Sequence, residues 1–127
     1  MSNEAVAVAM EIDVARQHLK DEVAKLREIE RAHVVAEARF RVEAARVTDG
    51  LSKGKEYVID IGTPDEECVG GKMAAANIKR VTDGVIAKWF AKAGMAKAEV
   101  TVQKAMIEAA KEDLGALRSK NKYLSHT

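Results

Sequence analysis

Apolar residues recur along the first third of the chain at alternating steps of three and four. From Ala5 the steps reach Val8, Ile12, Ala15, Leu19, Leu26, Ile29, Ala36, Phe40 and Val47, with Glu22, His33 and Glu43 as polar interruptions. A 3.5-residue period marks a helix that presents one seam to another helix. No Gly or Pro occurs between Met1 and Asp49, so no backbone chemistry breaks the pattern. The spacing predicts one long helix over residues 1–48, whose stretch from Ala5 to Val47 is roughly 60–65 Å at 1.5 Å per residue. Ser2 or Asn3 is its expected N-cap, Glu4 suits the positive end of the dipole, and Thr48-Asp49-Gly50 is its expected stop. Along it, Asp21 with Lys25 and Glu37 with Arg41 are expected to pair one turn apart.

Residues 49–71 read as a loop, an extended segment and a short helix. Tyr57 to Ile61 is the one strand candidate, β-branched and aromatic, and stopped by Gly62. A lone strand cannot satisfy its own backbone groups, so this one is expected to pair with another chain or to lie across the helices. Thr63-Pro64-Asp65-Glu66 has the form of a capping box with proline at the first helical position, which predicts a short helix over 64–69 before Gly70-Gly71.

The helical period then returns. Ile78, Val81, Val85 and Trp89 form one stripe, flanked by Ile86, Phe90 and Ala93, and predict a helix over 72–93 ended by Gly94. Val100, Gln103, Ile107, Ala110, Leu114 and Leu117 predict a last helix over 96–120, leaving 121–127 as a tail. The expected fold is a single mainly α domain with an elongated bundle or coiled-coil-like arrangement: a long N-terminal helix, two further helices as a hairpin over 72–120, and one short β segment. Arg46-Val-Thr-Asp-Gly50 recurs as Arg80-Val-Thr-Asp-Gly84, without similarity on either side. Chance, or a shared way of ending a helical stretch, accounts for it better than a solenoid.

Composition sharpens this picture. Of 127 residues, 47% are apolar but only 4% aromatic, so the core must be built from small side chains that each bury little area. Thin cores of that kind gain stability by association. The net charge of +1 hides a balance of −5 over residues 1–70 and +6 over 71–127. Opposite halves that pack or associate explain this, since the basic residues are spaced singly and aromatics for stacking are scarce. Cys68 is alone and can form no intramolecular disulfide. No apolar run approaches the roughly 18 residues of a membrane span, and the first residues do not read as a charged n-region followed by an apolar h-region. The expectation is a soluble intracellular protein, compatible with a particle assembled inside a host cell.

The candidate chemistry is thin. Glu30 and His33, with Glu37 one turn on, have the Glu-x-x-His spacing of di-metal bundles, but those need two such motifs and further glutamates. His33 reads better as a polar residue in the seam. His18 with Glu22 is weaker still, and His126 lies in the tail. No metal or cofactor is expected. Cys68 follows Glu66 and Glu67, which raise a thiol pKa, so a buried or half-buried structural cysteine is expected rather than a nucleophile. Gly70-Gly71-Lys72 lacks both the leading glycine and the following Ser or Thr of a phosphate loop. Asp60, Asp65, Glu66 and Glu67 look like an acidic cluster, but a helical first turn accounts for the last three.

These readings converge on a non-enzymatic structural or adaptor subunit. It would act by helix–helix association with itself or with other subunits of an assembly, a virion among them, through Val8, Ile12, Leu19, Leu26, Ile29, His33 and Phe40. The alternative is a nucleic-acid-associated helical protein whose basic C-terminal half makes contact through Arg118, Lys120 and Lys122. A metal-dependent enzyme built on Glu30 and His33 across a dimer ranks last.

Overall fold

The computed structural model describes residues 2–125; 81% of these are helical, and one small antiparallel sheet is the only β structure among them. The elements are α1 (Asn3–Ser52), β1 (Glu56–Ile59), β2 (Glu67–Gly70), α2 (Ala75–Val85) and α3 (Ala87–Ser125). The mainly α expectation, with its long N-terminal helix, is met. By packing, the chain divides into two compact units. One combines the residues up to Arg31 with those from Lys97, and the other is Ala32–Ala96.

The first unit is an antiparallel pair of helical segments from α1 and α3. Ser2 caps α1 by accepting a hydrogen bond from the Ala5 N–H at 3.0 Å. Val8, Ile12 and Leu114 form the buried centre, with Ala15, Leu19, Leu117 and Leu124 packed around it. Every residue of the predicted α1 seam up to Ile29 is buried or half-buried. On α3 the matching row steps by three and four through Val100, Gln103, Ile107, Ala110, Leu114, Leu117, Asn121 and Leu124. Two seams of equal period zip together, and that explains why the helix forms here.

The second unit is less regular. Val47, Leu51 and Ile86 form its centre, surrounded by Phe40, Ala44, Tyr57, Met73, Ile78, Val81, Val85 and Trp89. Here α1 runs past its expected stop at Thr48-Asp49-Gly50 and ends one turn later. Lys55 N–H donates to the Gly50 carbonyl at 2.9 Å and Gly54 N–H to that of Leu51 at 3.1 Å, with Gly54 at φ +80°. This is a Schellman ending, with Gly54 rather than Gly50 in the left-handed position. Gly50 serves a different need: the Tyr57 hydroxyl lies where a Cβ would stand.

The extended segment finds its partner inside the chain, not in another one. β1 pairs with β2 antiparallel, in the register Glu56 with Gly70 through Ile59 with Glu67. The helix expected over 64–69 therefore does not exist. Thr63, Pro64, Asp65 and Glu66 form the connecting turn instead: Glu66 N–H donates to the Thr63 carbonyl at 3.1 Å, and Asp65 N–H reaches the Thr63 hydroxyl at 3.3 Å. Threonine followed by proline suits the first two positions of a β-turn as well as a helix cap. Asp60 at φ 53° and Gly62 at φ 82° turn the chain before it.

The last helices also differ from expectation. α2 starts at Ala75, not 72, and stops at Val85. Ile86, at φ −95° and ψ 8°, leaves the helical region and sinks into the core, so the break falls there and not at Gly94. α3 then continues through Gly94, which costs about 1 kcal/mol relative to alanine but meets no steric obstacle. The expected tail is helical to Ser125; His126 and Thr127 lie outside the described residues.

The repeated pentapeptides meet. Thr48 and Thr82 hydroxyls lie 3.3 Å apart, and Val47 and Val81 share one core. Both copies sit in the last turns of a helix.

Candidate functional site

The predicted seam residues are distributed between the two cores. Val8 and Ile12 are buried on Leu114 and Leu19 flanks them, while Phe40 belongs to the second cluster. Leu26, Ile29 and His33 are half-buried. The chain's own α3 thus covers the α1 seam at Val8, Ile12 and Leu19.

The polar interruptions of the seam each have a polar partner. Glu22 is buried, and Gln103 Nε2 donates to its Oε2 at 2.6 Å and to its main-chain carbonyl at 2.8 Å. Lys25 Nζ lies 3.1 Å and His18 Nδ1 3.9 Å from its Oε1. The bond from Gln103, then that from Lys25, holds the carboxyl below its usual 4.5 despite burial. Glu43 is also buried, held by Arg39 at 3.2 Å and Arg46 at 2.6 Å. His33 Nε2 lies 3.3 Å from Glu37 Oε1. The i,i+4 pairs expected for Asp21 and Glu37 are replaced: Gln17 donates to Asp21, Lys25 turns to Glu22, and Glu37 takes His33. Sequence reasoning marked Glu22 as an interruption and Gln103 as a stripe member. Their shared polarity on two otherwise apolar seams was the available sign that they meet.

No group of three or more His, Cys, Asp and Glu is placed to hold a metal ion among the described residues. Cys68 is exposed on β2, contrary to the expected burial, and its thiol donates to Glu56 Oε2 at 3.5 Å. Glu56, rather than the adjacent Glu66 and Glu67, pushes the thiol pKa up. Asp65 and Glu66 lie in the hairpin turn and Glu67 in β2, so dipole stabilisation by a helix does not account for them.

Three cations surround the Trp89 ring: Arg39 and Lys92 at 4.7 Å and Lys88 at 5.1 Å from its centroid. Such contacts are ordinary stabilising cation–π pairs. Arg118, Lys120 and Lys122 are exposed on the last turns of α3.

The first unit also bears an open apolar groove of about 680 Å³, lined by Met10, Val14, Ala15, Ala116 and Leu117, with Glu11, His18 and Asp113 at its edge. Met10 and Val14 are 66% and 72% exposed, and Val102, two heptads before Ala116, is 58% exposed. Among the described residues no helix is long and apolar enough to cross a membrane. Comparison with protein-family models, curated proteins and solved structures finds no match.

Proposed function

We propose that this protein is a non-enzymatic structural or adaptor subunit that works by helix–helix association, with itself or within a larger assembly such as a virion. The observation that carries this reading is the apolar surface left over after the helices have packed. Met10, Val14, Val34, Val42, Val102 and Met106 are all exposed although both helical seams are filled. Singly scattered apolar residues need no explanation, but Met10 with Val14 and Val102 with Met106 are neighbours one helical turn apart. The contact surface on this reading lies on the outer faces of α1 and α3, because the inner seam is occupied in the first unit.

A second reading, contact with nucleic acid, draws support from the basic row Arg118, Lys120 and Lys122 beside Tyr123, which is exposed on the same turns. Molar mass by light scattering after size exclusion, at low and high salt, tests the first reading. An oligomer at both salts is expected, and a monomer at both would reject self-association. Nucleic acid that is retained only at low salt would favour the second.

A further inference from the structure

We propose that one face of the first unit docks a second copy of this chain, α3 against α3 and antiparallel, about an axis at Ala109. This rests on the association reading above and names its surface and partner.

The groove fixes which face is meant. Met10 and Val14 of α1 and Asp113 and Ala116 of α3 line it together, so these sides of the two helices look the same way. Residues seven apart lie on one side of a helix within about 20°. From Ala116 that row runs back through Ala109 to Val102 and forward to Tyr123; from Asp113 it runs through Met106 to Glu99 and forward to Lys120. Every one of these α3 residues is exposed. α3 therefore carries a second seam outside the one that packs on α1.

A second copy suits this face for three reasons. The first is register. With the axis at Ala109, Val102 of each copy comes opposite Ala116 of the other, and Met106 within one residue of Asp113, where the Met side chain enters the groove beside Met10 and Val14. Small residues at Ala109 and Ala116 leave room for that approach. The second is charge. In the same register Glu99 of each copy comes within one residue, about 1.5 Å along the axis, of Lys120 of the other, an offset that two long side chains bridge, and neither has an ion-pair partner among the described residues. The third is area. A face two helices wide and running from 98 to 123 measures roughly 39 by 20 Å, or about 800 Å² per copy, the size of a standard stable interface.

Ala109→Glu tests the proposal without touching the buried seam, since Ala109 is exposed and glutamate is a good helix former. The wild type is expected at twice the 13.8 kDa chain mass and the variant at the chain mass, with unchanged helical circular dichroism. Glu99→Lys or Lys120→Glu alone should raise the dissociation constant about tenfold, because two symmetry-related contacts become repulsive, and the double exchange should restore it. In a Cys68→Ser background, Ala109→Cys should cross-link under mild oxidation faster than Lys104→Cys. A wild-type oligomer that Ala109→Glu leaves intact, or a double exchange that fails to rescue, overturns the face while the association reading stands. A wild type that is monomeric at every concentration overturns self-association itself.

Discussion

The two compact units are built on opposite principles. In the first, two seams of equal period meet along two helical segments, and one buried polar pair, Glu22 with Gln103, interrupts the contact. In the second, side chains from four elements and the segment before α2 converge on Val47, Leu51 and Ile86, and the packing follows no single period. The periodic core tolerates sliding, because a shift by one heptad brings apolar residues against apolar residues again. The polar pair removes that freedom: after such a shift the Glu22 carboxylate faces Ala96 or Ala110 and loses its donor. The convergent core needs no such device, since its shape admits one arrangement. Each unit therefore obtains a unique structure from a different source.

Breaking the convergent core gives the largest effect. Leu51 is 2% exposed, and Leu51→Ala should cost about 3 kcal/mol, read as a lower denaturant midpoint. If the loss is below about 1 kcal/mol, the cluster is softer than its burial indicates. A smaller effect is expected from the polar pair, and pH reveals it. The folded carboxyl of Glu22 titrates below its usual 4.5. Its contribution to stability is thus complete above 4.5 and is lost as pH falls through the lower folded value. Glu22→Gln should remove that part of the acid sensitivity, so that its melting temperature changes less than the wild type's between about pH 5 and about pH 3. Parallel curves for the two proteins would mean that the pair does not discriminate between registers by charge. The smallest effect concerns the hairpin. Glu56→Gln should speed alkylation of Cys68 at slightly alkaline pH by about threefold, because the group that raises the thiol pKa is gone. An unchanged rate would show that the Glu56 contact is too weak to matter.

The same contrast decides how much could be read from the sequence. A seam repeated over many turns, as in α1, stands out from any one ambiguous residue, and its predicted members are the ones that lose exposure. The helical end of α3 was missed, although Asn121 and Leu124 continue the step from Leu117. Single short signals carried less. Thr63-Pro64 serves a helix cap and a β-turn equally well, and β2, as Glu67-Cys68-Val69-Gly70, has too few alternating positions to announce a strand. Gly50 and Gly94 read as stops, yet one is needed for close approach of Tyr57 and the other simply faces open space. The bond between Glu22 and Gln103 spans 81 positions, beyond the reach of any local pattern. The left-over apolar face of α3 became visible only after the buried seam had been subtracted from it.

The placement of aromatic residues has a practical corollary. Trp89 is the chain's one tryptophan, and it sits in the convergent core with Arg39, Lys88 and Lys92 around its ring. Its fluorescence therefore reports on residues 32–96 alone, whereas far-ultraviolet dichroism sums over the helices of both units. The protein carries its own means of showing whether its two halves melt together.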